Sequence, residues 1–137
     1  MTAIRIKQAD YESIVSHARA GLPNEACGLI AGRDEGDARI VEKVYLLSNP
    51  DKSPEHFSID PKEQLAAVKD MRANGIKPLG NFHSHPSTPA RPSEEDIRLS
   101  YDPKASYLIL SLSSEPPVLK AFGVAGGVVS LQMVEIV

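Results

Sequence analysis

One cysteine, Cys27, is present in 137 residues. It has no partner for an internal disulfide, and structural zinc sites built from several thiolates are excluded with it. Basic charge is not in excess either. The formal net charge is −3 and the sequence pI is about 5.8, and no stripe of Lys and Arg stands out, which argues against a nucleic-acid partner because phosphate backbones select basic faces. No apolar run approaches membrane-spanning length. Met1 to Lys7 leads into an amphipathic pattern without an apolar signal core, so the expectation is a cytoplasmic chain with no membrane partner. Repeats, low-complexity tracts and linkers are also missing. With 42% hydrophobic residues, the whole length 1–137 is expected to form one domain with its own core.

The patterning that is present alternates helix and strand. Tyr11, Ile14, Val15 and Ala18 follow the i, i+3, i+4, i+7 spacing of a helical stripe that Gly21 can terminate. Cys27 to Ala31 and Ala38 to Leu47 read as two strands joined by the turn-forming Asp34-Glu35-Gly36-Asp37. Asp60-Pro61-Lys62-Glu63 is a helix start, with a capping acid and proline at the first helical position. Leu65, Val68, Met71 and Arg72 are expected on the inner side of that helix, and Asn74-Gly75 ends it. A strand carrying His83 and His85 follows, then a short helix from Ser93 to about Tyr101. Strands are expected over 106–112, 119–124 and 128–136, the last two joined about Ala125-Gly126-Gly127. The fold class is α/β, a mixed curved sheet flanked by helices in layers.

The chemistry concentrates in His83-Ser84-His85-Pro86 and Ser93-Glu94-Glu95-Asp96. Histidines at i and i+2 of a strand point to one face, and Pro86 stops the strand just after them. Ser93 and Asp96, three apart at a helix start, emerge from one side of its first turn. Two imidazoles and a carboxylate make three ligands, the number that catalytic zinc uses while keeping a fourth position open. Ser93 and Asp96 also read as a capping box, a purely structural use of the same pair. Both elements end at the connection from Pro86 to Pro92, whose prolines limit the conformations it must give up on ordering.

Taken together, His83, His85, Ser93 and Asp96 at these spacings resemble the JAMM motif of the MPN+ (Mov34/MPN/PAD-1) zinc metalloproteases. The stretch Asn24-Glu25-Ala26-Cys27-Gly28-Leu29-Ile30 matches that family's upstream glutamate, and the likeness runs on through His56-Phe57 and Asp60-Pro61 to Tyr107-Leu108-Ile109-Leu110. It is nearest to the short bacterial Mec-type members. The resemblance implies a cytidine-deaminase-like layered fold and Zn2+ held by His83, His85 and Asp96. It also implies Glu25 as general acid–base and Ser93 as donor to the developing oxyanion. The implied partner is a ubiquitin-like sulfur-carrier protein with a C-terminal Gly-Gly, from which an attached amino acid or peptide is cleaved. Eukaryotic relatives that cut ubiquitin chains carry two added segments, and little separates Asp96 from the next strand here.

Other readings differ in what they need. Two histidines and a carboxylate also form the facial triad of non-haem iron oxygenases, and relatives lacking ligands serve as non-catalytic binding modules. A zinc nucleobase deaminase needs a Pro-Cys-x-x-Cys arrangement that one cysteine cannot supply. His17 is expected at the boundary of the first helix, and His56 as a hydrogen-bonded strand-end residue. Cys27, within an apolar strand, is expected to be a buried small residue rather than a nucleophile.

Overall fold

The computed structural model describes residues 2–137. Its elements in chain order are β1 (Ala3–Ile6), α1 (Gln8–Gly21), β2 (Cys27–Asp34), β3 (Ala38–Leu47), α2 (Pro61–Ala73), β4 (Lys77–His85), α3 (Glu94–Arg98), β5 (Ser106–Ser111), β6 (Val118–Ala125) and β7 (Val128–Ile136). The strands lie in the order β1-β3-β2-β4-β5-β6-β7. The sheet is mixed and curved, as expected from the alternating elements, and it curls far enough that β7 returns to pair in parallel with β1. β1–β3 and β4–β5 are the other parallel pairs, and the remaining neighbours are antiparallel.

The main core lies where α1 packs on the concave sheet. Ile14 and Ala18 of the helix meet Ile4 and Ile6 of β1, Ile30 of β2, Phe82 of β4, and Leu108 and Leu110 of β5, with Tyr11 and Val15 at the margin. All four stripe positions of α1 therefore face the sheet as their spacing requires. β1 itself escaped the sequence reading. Its alternation is clear, with Ile4 and Ile6 buried and Arg5 exposed, but four residues are too few to compete with the helical pattern beginning one residue later.

On the convex side, α2 covers β2 and β3. Asp60 accepts from the Lys62 backbone N–H at 2.8 Å, so the cap at the predicted position is made. The inner face differs from expectation. Ala67 and Met71 pack against Cys27, Leu29, Ala31 and Leu47, whereas Leu65 is 55% exposed and Arg72 lies outward. The small Ala67 lets the helix axis approach the sheet, and the face then centres on Ala67 and Met71. α3 stops at Arg98, short of Tyr101. The Ser100 hydroxyl donates to the Asp96 carbonyl, and Pro103 disfavours helix at the residue before it. The β6–β7 turn forms at Gly126 and Gly127, both with positive φ (58° and 79°), the conformation a two-residue type I′ hairpin demands.

Candidate metal centre and active site

β4 sorts its side chains by alternation. Phe82 and Ser84 turn into the core, while His83 and His85 turn to the convex side beneath α3, and all four are buried. The Nε2 atoms of His83 and His85 stand 3.2 Å apart, and Asp96 Oδ2 lies 3.1 Å from the first and 3.2 Å from the second. Donors 2.0–2.1 Å from a tetrahedral ion stand about 3.3–3.4 Å from one another. The three atoms are already at close to that spacing. His83, His85 and Asp96 thus form a group that could hold a metal ion, and the donor set, two imidazole nitrogens and a carboxylate oxygen, suits one.

Ring orientation is fixed from behind. His85 Nδ1–H donates to the Pro89 carbonyl at 2.9 Å, so Nε2 is the ring nitrogen turned to the group. The His83 ring stacks on Phe57, with centroids 4.7 Å apart and planes 25° from parallel. Burial works against the Asp96 carboxylate, but hydrogen bonds from His83 and His85 and from the Ser93 backbone hold it far below the usual carboxylate range. Burial likewise works against a charged His85, yet Asp96, the Pro89 carbonyl and Glu25 leave it raised above 6.5.

Ser93 caps α3. Its Oγ accepts from the Asp96 N–H at 3.0 Å, and Asp96 Oδ2 accepts from the Ser93 N–H at 2.9 Å, which closes the capping box. The box aims the carboxylate at the histidines. Because Ser93 Oγ serves as an acceptor there, its own proton is left to donate elsewhere.

Glu25 comes from a distant part of the chain. The Ala26 N–H donates to Ser84 Oγ at 2.8 Å and the Ser84 N–H donates to the Ala26 carbonyl at 2.9 Å, tying the segment before β2 to the histidine strand. The Glu25 N–H donates to Ser53, and Asn49 Nδ2 donates to the Glu25 carbonyl. The side chain itself is 4% exposed, and its Oε1 has no hydrogen-bond partner. Burial pushes its carboxyl up to about 8, with Asp96, Glu95 and Glu55 adding to the rise and His85 opposing it. A carboxyl titrating near neutrality can both accept and return a proton.

The remaining candidates fall outside this cluster. His56 is exposed in a loop rather than at a strand end and meets Asp51 at 3.2 Å. His17 is half-buried, with Nε2 at 3.1 Å from the Cys27 carbonyl and 2.8 Å from that of Leu47, clasping α1 to β2 and β3. Cys27 is buried, and burial, with Glu63, Glu25 and Asp51 adding to it, pushes its thiol up to about 12, a structural cysteine as expected. Three supporting residues went unread: Ser84, Phe57 and Pro89. Ser84 alone carried a signal, as a hydroxyl on the inward face of an apolar strand.

A curved mixed sheet carrying a His-x-His strand and a capped aspartate beside a buried glutamate defines a JAB-type domain. The chain belongs to the family of prokaryotic homologs of the JAB domain, whose pattern matches residues 7–123. It is 32% identical over 127 residues to the CysO-cysteine peptidase of Mycobacterium tuberculosis, covering 91% of this chain and 85% of that protein. A probable TtuB-protein conjugate cleaving protease from Thermus thermophilus is 39% identical over 88 residues, 64% of this chain and 56% of that one. The solution structure of protein DSY2949 from Desulfitobacterium hafniense superposes with a TM-score of 0.91 at 56% identity, over 98% of this chain and 92% of the other.

Proposed function

We propose that this chain is a zinc-dependent peptidase that hydrolyses the amide bond after the C-terminal Gly-Gly of a ubiquitin-like sulfur-carrier protein, releasing an attached amino acid or peptide. The carrying observation is the set of three donors at 3.1–3.2 Å from one another, with the buried Glu25 carboxyl, its Oε1 without a hydrogen-bond partner, interacting with His85 and Asp96 of that set. The names of the mycobacterial and Thermus relatives point to the same bond class. We read residues 1–137 as one domain acting in the cytoplasm; no helix among the described residues is long and apolar enough to cross a membrane.

In this reading His83, His85 and Asp96 hold the zinc. A zinc ion held there would supply Lewis acidity and make water easier to deprotonate near neutral pH. Glu25 takes the proton from the attacking water and delivers it to the departing amine, which leaves poorly until protonated. The Ser93 hydroxyl donates to the carbonyl oxygen as it gains charge. Phe57 and the Pro89 carbonyl keep the two rings in place throughout. A Gly-Gly end lacks side chains, so its backbone can lie extended close to these groups.

The test is to load the purified chain with zinc, measure one equivalent per chain, and incubate it with carrier proteins bearing C-terminal extensions, reading the products by mass spectrometry. Cleavage directly after Gly-Gly is expected. Loss of metal is expected on replacing His83, His85 or Asp96 with alanine, in proteins that remain folded because the group lies outside the main core. Zinc retained by all three variants would remove the site assignment.

A further inference from the structure

The connection from β3 to α2, residues 48–60, passes both Glu25 and His83. An ordered loop has to find partners for its backbone N–H and C=O groups, and here one side chain serves four such groups. Asn49 Nδ2 donates to the Glu25 carbonyl and to the His56 carbonyl, each at 3.0 Å. Its Oδ1 accepts from the Asp51 N–H at 3.1 Å and from the Ser58 N–H at 3.3 Å. A carboxamide has two N–H donors and an oxygen with two lone pairs, so its whole capacity is spent on backbone. Aspartate in its place lacks both donors. The local sequence makes the arrangement possible: Pro50 fixes the φ that follows Asn49, and the Lys52 N–H closes the turn on the Asn49 carbonyl at 3.1 Å.

The four bonds lead to two places. Glu25 is one: its N–H donates to the Ser53 carbonyl at 2.8 Å and its carbonyl accepts from Asn49, so both of its backbone groups are held by this loop. Phe57 is the other, because the His56 carbonyl and the Ser58 N–H flank it, and its ring stacks on His83 with centroids 4.7 Å apart. A single amide therefore joins the backbone of the buried carboxyl to the backbone on either side of the ring that rests on the first histidine. Asp51 provides a contrast. Its carboxylate meets His56 Nδ1 at 3.2 Å and accepts from the Ser58 hydroxyl at 2.9 Å, both within the loop. Asp51 stiffens the loop, whereas Asn49 joins the loop to Glu25.

We propose that Asn49 is a positioning residue for the hydrolysis, setting where the Glu25 carboxyl stands relative to His83. The inference rests on the reading of the chain as a peptidase with Glu25 as its base, and adds a residue that acts through Glu25. Without Asn49 the segment before β2 is released on its loop side, while Ser84 still holds Ala26 on the other. Misplacing a reacting group by about 1 Å can cost about 10² in rate.

The experiment compares the parent with three variants. Asn49→Ala removes all four bonds, Asn49→Asp keeps the two that its oxygen accepts and loses the two that its nitrogen donates, and Asp51→Ala removes only ties within the loop. On a Gly-Gly-extended carrier, kcat of both zinc-loaded Asn49 variants should fall by about 10² with KM within about twofold of the parent. Zinc content should stay that of the parent, and Asp51→Ala should keep kcat within about threefold. In a Glu25→Gln background, Asn49→Ala should lower the residual rate by no more than about twofold, because a residue that acts through Glu25 has nothing left to act on. Amide hydrogen exchange of the metal-free chain, resolved by residue with NMR, should quicken about tenfold or more at the Glu25 N–H in both Asn49 variants and stay at the parent rate in Asp51→Ala. Should Asn49→Ala fail to fold, Asn49→Asp carries each comparison. Parent-like kcat in a folded Asn49 variant, an equal fold loss in the two backgrounds, zinc lost with the amide, or unchanged exchange at Glu25 overturns the role. A parent chain that cleaves no conjugate while the exchange contrast holds overturns the peptidase reading and leaves Asn49 as the residue that places Glu25.

Discussion

Ser84 and Ala26 exchange two hydrogen bonds, the Ala26 N–H to Ser84 Oγ at 2.8 Å and the Ser84 N–H to the Ala26 carbonyl at 2.9 Å. Through them the strand that carries both histidines also fixes the residue next to Glu25. Ser84→Ala should leave the buried Ala26 N–H without a partner and cost about 1–3 kcal/mol, measured by chemical denaturation. Metal content should be unchanged, because His83 and His85 keep their other supports. Turnover per zinc-bound molecule should fall as Glu25 loses its anchor. A variant as active and as stable as the parent would show that Glu25 is held by Ser53 and Asn49 alone.

Ser93 has two roles that separate by measurement. As the cap of α3, its replacement by alanine should cost about 0.5–2 kcal/mol of stability. As an oxyanion donor, its loss should lower turnover by about 10²–10³. The geometry allows both at once, since Oγ accepts from the Asp96 N–H with its own proton left over. Both losses are expected in Ser93→Ala, and Ser93→Thr, which keeps the hydroxyl, should recover most of each. Turnover near that of the parent in Ser93→Ala would reduce Ser93 to a cap.

What the sequence discloses of this site is what lies within a few residues. His83 and His85 share a face because strands alternate, and Ser93 with Asp96 closes a capping box because helix starts do so; both rules are local. Glu25 was reached only by resemblance, since its place depends on the pairing of Ala26 with Ser84, far along the chain. Closure of the sheet depends on a similar distant pairing, Ala3 with Met133, and no pattern within β1 announces it. The face of α2 misled for a third reason. Leu65 is the more hydrophobic choice, but Ala67 is the one small enough to let the helix settle on Ala31 and Cys27.

The pH dependence of the metal-free protein follows from three groups of one cluster. Asp96 is depressed in the fold, so its contribution is present above the ordinary 3.8 and is lost as the pH falls. His85 is raised, so its contribution is complete below 6.5 and is lost as the pH rises past its folded value. Glu25 is also raised, from 4.5 to about 8, and the folded state holds its proton while the unfolded state releases it; stability therefore declines between those values. The metal-free chain should be most stable between 3.8 and 4.5, weaken from there as Glu25 counts against the fold, and weaken further toward pH 8 as His85 loses its proton. Denaturation of chelator-treated protein at pH 5 and pH 8 measures this. Glu25→Gln, which has no proton to lose, should flatten the decline, and an equal slope in the variant would assign it to His85 alone.

Glu25→Gln also isolates the proton transfer from the metal. Glutamine keeps the shape of glutamate and most of its hydrogen-bonding capacity but cannot accept a proton from water at neutral pH. Glu25 makes none of the donor contacts that join His83, His85 and Asp96, so zinc stoichiometry should match the parent. Hydrolysis of a Gly-Gly-extended carrier should nevertheless collapse. General acid–base catalysis is worth about 10²–10⁴ in rate, and a residue used once to take a proton and once to return it belongs toward the top of that range. Stability at pH 7 should hold or improve, because a buried carboxyl without a partner for Oε1 gives way to a neutral amide. Zinc content and cleavage are to be read side by side on the same preparation. Zinc lost with the carboxylate would make Glu25 a ligand and the three-donor site incomplete, whereas zinc and activity both retained would place the base on another residue.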